Sequence, residues 1–137
     1  LIPIGESEVK IEGKDVTIVS FGKILKEAVK AIEELKKENI SAELIDLRTI
    51  RPLDIDTILK SVKKTNRLVI LEESWPFGNI STEITYQVQN SAFDYLDAPV
   101  EKINTADTPA PYSPVLLNEW LPNYKDVIKA VNKVMYR

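Results

Sequence analysis

The chain has 137 residues, 44% of them hydrophobic, a formal net charge of -3, and neither cysteine nor histidine. Without cysteine there are no disulfides, thiolate metal sites or cysteine nucleophiles; without histidine there is no ordinary serine triad, and the commonest metal ligand and neutral-pH base are missing. Eighteen Lys and Arg against 21 Asp and Glu argue against a nucleic-acid surface, and no run approaches the roughly 18 apolar residues of a membrane span.

Leu1 to Ile4 is too short an apolar run for a signal sequence, and a start on Leu1 rather than Met suggests a piece of a longer protein. Gly5 to Gly13 alternates weakly around Val9 and Ile11, which predicts a short edge strand. Val16 to Ser20 is apolar and β-branched, the pattern of a buried central strand. After a turn at Phe21-Gly22-Lys23, the residues Ile24, Leu25, Ala28, Val29, Ile32 and Leu35 mark one face of a helix. It should end near Asn39, a residue that tolerates the left-handed cap conformation.

Ala42 to Leu47 alternates as a strand does. Asp54 is placed to cap a helix carrying Ile55, Ile58, Leu59 and Val62. Pro52, between them, is expected to stop the strand and to bias Arg51 toward extended backbone. Arg67 to Leu71 is a third, continuously apolar strand. Asn79 or Ser81 opens a helix to about Asn90 with Ile84 and Val88 inward, and Val100 to Asn104 suits a further parallel strand. Four prolines, Pro109, Pro111, Pro114 and Pro122, predict an extended stretch from Asp107 to Pro122 rather than a helix. Asn123 then opens a terminal helix with Val127, Ile128, Val131 and Val134 on one side. Strands alternating with helices predict one α/β domain, a three-layer α/β/α sandwich around a mainly parallel five-stranded sheet.

Function in such a sheet gathers where strands end and helices begin. Arg48 and Arg51 sit there and could grip an anion with their forked donors. The competing reading, favoured because no glycine-rich cradle accompanies them, is ion pairing with Asp46, Asp54, Glu72 or Glu73. Glu72 and Glu73 close the third strand, but neighbours on a strand point to opposite faces, so loop salt bridges or subunit contacts suit them better than shared catalysis. No third acidic residue completes a local magnesium motif. Trp75 and Phe77 in one loop, with Tyr112 and Trp120 in a proline-rich one, suggest a protein interface more than a plug over the sheet edge. Gly22 lacks the spacing of a dinucleotide loop. Asp94 and Asp97 read as solvated turn residues.

Three segments in order, DLRTIRPLD (Asp46 to Asp54), EESWPFGN (Glu72 to Asn79) and ADTPAPY (Ala106 to Tyr112), make the chain resemble a known family. It is that of the C-terminal, transketolase-like domains of thiamine-dependent 2-oxoacid dehydrogenase beta subunits, pyruvate dehydrogenase above all. The likeness spans residues 1–137 and implies a single such domain, one antiparallel edge strand, and an N-terminal pyrimidine-binding domain missing from this sequence. It implies a role in oxidative decarboxylation of pyruvate and acetyl transfer to lipoyl groups, with thiamine diphosphate and magnesium bound outside this domain and no catalytic residue in it.

The implied partners are the alpha subunit, a second beta subunit and the peripheral subunit-binding domain of the lipoyl acyltransferase. Asp97 and the terminal carboxylate, here on Arg137, would receive that last partner near the beta two-fold axis, although a basic final side chain departs from the family pattern. Bacterial cytoplasm or mitochondrial matrix would be the compartment. A branched-chain 2-oxoacid or acetoin dehydrogenase beta subunit is the alternative within the family. A stand-alone flavodoxin-like module binding anions through Arg48 and Arg51 is the alternative outside it.

Overall fold

Five consecutive residues buried on both faces make Val16–Ser20 (β2) the middle of the sheet. The computed structural model describes all 137 residues, Leu1–Arg137. Around β2 lie β1 (Glu8–Ile11), β3 (Ala42–Asp46), β4 (Leu68–Leu71) and β5 (Glu101–Ile103), in the order β1-β3-β2-β4-β5. The pairs β2–β3, β2–β4 and β4–β5 are parallel; β1 alone runs antiparallel, against β3, with a slip in register between Val9 and Ile11. The mainly parallel sheet with one antiparallel edge is therefore the fold that forms.

Side-chain alternation along the strands divides the interior in two. Ile18, Leu44, Val69 and Leu71 face α1 (Leu25–Lys37) and α5 (Tyr124–Val134) in a core of 17 buried residues. Val19, Ile45, Ile70 and Leu68 face α2 (Ile55–Thr65) and α3 (Ile80–Ala92) in a second core of 10. Fully burying each such side chain contributes about 1.5–3 kcal/mol. The helix ends follow the expected chemistry: Asp54 accepts from the Thr57 N–H at α2, and Asn39 and Asn66 take φ of 60° and 63° past α1 and α2.

Three expectations are corrected. The strand into Arg48 ends at Asp46, well before Pro52, because Arg48 takes φ 58° and turns the backbone out of the sheet; the Arg51–Pro52 bond is cis. The alternation of β3 does not separate a wet face from a dry one, since Glu43 is only 2% exposed. It bonds Lys64 of α2 and the Gly13 N–H, above a hydroxyl cluster in which Thr17 Oγ1 lies 2.6 Å from Ser61 and 2.7 Å from Thr65. Finally, the stretch from Asp107 to Pro122 is not extended throughout, because Pro114–Trp120 forms a helix, α4. Pro114 occupies its first position, where the missing N–H costs nothing, and the Leu117 N–H reaches the Ser113 carbonyl at 2.8 Å.

Candidate functional site

The loops at the carboxyl ends of the parallel strands carry most of the residues picked out from sequence. Arg48 leaves β3 with its N–H on Asp46 Oδ1 (3.1 Å) and its guanidinium 2.7 Å from Glu8 Oε2. Lys10 reaches the same carboxylate at 2.7 Å. The hydrogen bonds from Lys10 and then Arg48 hold the Glu8 carboxyl below the ordinary glutamate range, and Glu8 in turn raises the Lys10 amine. Arg48 thus fastens the antiparallel edge strand to the β3 loop, with a partner, Glu8, outside the expected set. Asp54 is engaged elsewhere, accepting from Ser7 N–H at 2.8 Å and from Thr57. Arg51 is exposed and belongs to none of the ion pairs, so the two arginines do not converge on one anion.

Glu72 and Glu73 diverge as strand alternation requires. Glu72 is buried and accepts from the N–H groups of Ile80 (3.3 Å) and Ser81 (3.0 Å), the first turn of α3. Asn79 Oδ1 takes the next one, from Thr82, at 3.0 Å. Glu73 is exposed and borders a hollow with Lys23 and Lys26. Neither forms an ion pair, and no three acidic side chains converge. These residues do not fit a diphosphate–magnesium group: Glu72 is committed to α3, Arg48 to Glu8, and the turn after β2 offers one glycine, Gly22.

The aromatic loops do come together. Trp75 and Trp120 donate their indole N–H groups to one acceptor, the Thr108 carbonyl, at 2.9 and 2.8 Å. The Thr105 N–H to Ser74 carbonyl (2.9 Å) and Ala106 N–H to Trp120 carbonyl (3.1 Å) bonds stitch the same three loops. Asn79 and Lys102 add bonds to the carbonyls of Trp75 and Pro76, both at 2.6 Å. A shallow hollow of about 270 Å³ lies beside them, between Pro109, Pro111, Leu116 and Trp120. Phe77 and Tyr112 stand in these loops almost fully exposed.

At the opposite end of β5's entry, Asp97 keeps its side chain in solvent, 3.7 Å from Arg67. Its backbone is pinned on both sides: the N–H to the Asn66 carbonyl (2.9 Å) and the carbonyl to Tyr136 Oη (3.1 Å). Tyr136 therefore lies beside Asp97, while the N–H of Arg137, the other predicted docking residue, bonds the Asn132 carbonyl at 2.9 Å. A groove of about 470 Å³ opens there between Phe93, Leu96, Pro99, Val100 and Tyr136. Sequence reasoning missed Tyr86, Phe93 and Tyr136 in this region, although the near-absence of charge along α3 was a readable signal.

Residues 5–127 match the family described as Transketolase, C-terminal domain. The mitochondrial pyruvate dehydrogenase E1 component subunit beta of Dictyostelium discoideum is 49% identical over the whole chain, which spans 38% of that protein. The pyruvate dehydrogenase E1 component subunit beta of Rickettsia bellii is 53% identical over 98% of the chain, which spans 42% of it. Among solved structures, a split gene transketolase described as an inactive beta4 tetramer superposes with a TM-score of 0.85, at 27% identity, covering 98% of this chain and 43% of that one.

Proposed function

The chain belongs to the transketolase C-terminal domain family, and on that premise we propose that it is the C-terminal, assembly domain of a pyruvate dehydrogenase beta subunit. The observation that carries the reading is identity of about half, running the full length of the chain, to beta subunits of that one enzyme. The whole protein then takes part in oxidative decarboxylation of pyruvate and acetyl transfer to lipoyl groups. Thiamine diphosphate would supply the carbanion chemistry, and it and magnesium are held outside these residues. This domain contributes surfaces: to an alpha subunit, to a second beta subunit, and to the acyltransferase's peripheral subunit-binding domain.

Self-association has support in the beta4 assembly named for the split gene transketolase. Asp97 suits a basic partner because its carboxylate is exposed while its backbone is held on both sides, so little ordering is lost on binding. The exposed Trp75, Phe77 and Tyr112 suit a subunit contact. Bacterial and mitochondrial relatives point to bacterial cytoplasm or mitochondrial matrix. No helix is long and apolar enough to cross a membrane.

Calorimetric titration of the full-length subunit with the peripheral subunit-binding domain, at low and high salt, tests the docking role. Binding should weaken with salt and fall about three- to tenfold in Asp97→Asn, the scale of a charge at an interface rim. Equal binding by wild type and variant would remove Asp97 from the docking face. The 137-residue chain alone, given thiamine diphosphate and magnesium, should not turn over pyruvate; measurable decarboxylation by it would overturn the assembly reading.

A further inference from the structure

The connections of β2 and β4 leave the sheet in opposite senses. β2 feeds α1 on one face and the chain returns as β3 on one side; β4 feeds α3 on the other face and the chain returns as β5 on the other side. Their loops part at the carboxyl ends, and the crevice between such loops is where open parallel sheets take ligands. Lys23 and Ile24 from the first loop and Glu73 from the second line a hollow of about 520 Å³. That is within the ~300–1,000 Å³ of small-molecule sites.

The walls of the hollow differ in kind. Lys23, Lys26 and Lys30 line it at the three- and four-residue spacing of one helix face. Glu27 is already engaged: one carboxylate oxygen accepts from the Tyr124 N–H at 3.1 Å and the other lies 3.4 Å from Lys30. That bond and the Asn123 cap close the start of α5, which is no anion site of its own. Lys23 and Lys26 are exposed and enter none of the ion pairs. Leu117, Leu121 and Tyr124 supply an apolar wall, and Glu73 a single unpaired carboxylate. Gly22, before Lys23, has φ 68°, and a Cβ there would meet nothing within 4 Å, so the turn is open above. Ser20, which ends β2 on the α1 face by alternation, is fully buried, and its Oγ has no hydrogen-bond partner.

We propose that this hollow binds a nucleotide without a metal ion. Its phosphates lie on Lys23 and Lys26, its ribose hydroxyls donate to Glu73, and its base rests on Leu117, Leu121 and Tyr124. Two free ammonium groups match the charge of a terminal phosphate, and side chains provide the grip that a glycine-rich backbone provides elsewhere. The carboxylate is what selects the class. Glu73 repels a bare inorganic anion or a polyanionic surface, but a ligand with hydroxyl donors next to its phosphate satisfies it.

The test is calorimetric titration of the full-length subunit, in chelator and at low salt, with ADP, 2′,3′-dideoxy-ADP and inorganic pyrophosphate as probes. ADP should bind wild type with a submillimolar Kd. In Lys23→Ala/Lys26→Ala that Kd should rise about tenfold or more, and Lys60→Ala on α2 should leave it unchanged. On wild type, dideoxy-ADP should bind about threefold or more weakly than ADP, and pyrophosphate weaker still. No binding of ADP at about 5 mM overturns the proposal. So does a Kd that the double variant leaves unchanged, since the nucleotide would then sit elsewhere in the subunit. Pyrophosphate binding as tightly as ADP reduces the hollow to a bare anion patch and overturns the nucleotide assignment. A second measurement needs no variant: ADP should protect Lys23 and Lys26 of wild type from an amine-acetylating reagent, read by mass spectrometry, and should not protect Lys60. Equal labelling of Lys23 and Lys26 with and without ADP overturns the site.

Discussion

Glu43 is the residue whose environment most exceeds what its neighbours in sequence suggest. Burial works to raise its pKa, but Lys64, Ser61 and the Gly13 N–H outweigh burial and hold the carboxyl below the ordinary glutamate range. A carboxyl depressed on folding gives stability that is complete above its unfolded value, about 4.3, and is lost as pH falls through the lower folded value. Lys64 has the opposite sense: Glu43 raises its amine, so its contribution is complete below about 10.4 and is lost as pH climbs through the folded value. Urea titrations across pH should therefore show Glu43→Gln with a shallower acid limb than wild type. Lys64→Met leaves a buried carboxylate without its cation; it should cost about 2 kcal/mol at pH 7 and move the acid limb upward. Equal midpoints for Lys64→Met and wild type at pH 7 would show the pair to be idle. Alternation made β3 a strand from sequence alone, but whether Glu43 met water depended on α2, whose packing lies outside any local pattern.

At the scale of elements, the start of α3 shows a local and a distant cap side by side. Asn79 is the ordinary N-cap, visible in the sequence immediately before the helix. Glu72 supplies the other acceptor from the end of β4, eight residues away in chain and therefore invisible to a window read along the helix. Because the Glu72 carboxylate serves two N–H groups in a buried setting, Glu72→Ala should cost about 1–3 kcal/mol, against about 1 kcal/mol for Asn79→Ala. Chemical denaturation of the two variants checks the order, and a larger loss for Asn79→Ala would mean that water replaces Glu72. α4 was missed for a different reason. Proline density argued for extended chain, but a proline at a first helical position is compatible with the helix, and the other three flank it.

For the molecule as a whole, the sheet and its helices were legible because each strand and helix announces its own period. The antiparallel edge was not; it came from resemblance, since β1 and β3 are joined by Arg48–Glu8 and by backbone pairing far apart in chain. Candidate residues were legible by type but not by partner: Arg48 found Glu8, Glu72 found a helix, and Trp75 found the carbonyl that Trp120 also uses. That last arrangement has an optical consequence. These are the only two tryptophans in the chain, and both sit on one carbonyl in one loop cluster, away from either core. Intrinsic emission excited at the red edge of indole absorption is therefore a spectroscope trained on a single patch. A chain docking on the Trp75–Trp120 loops should shift that emission to the blue, whereas one docking at Asp97 should leave its colour unchanged.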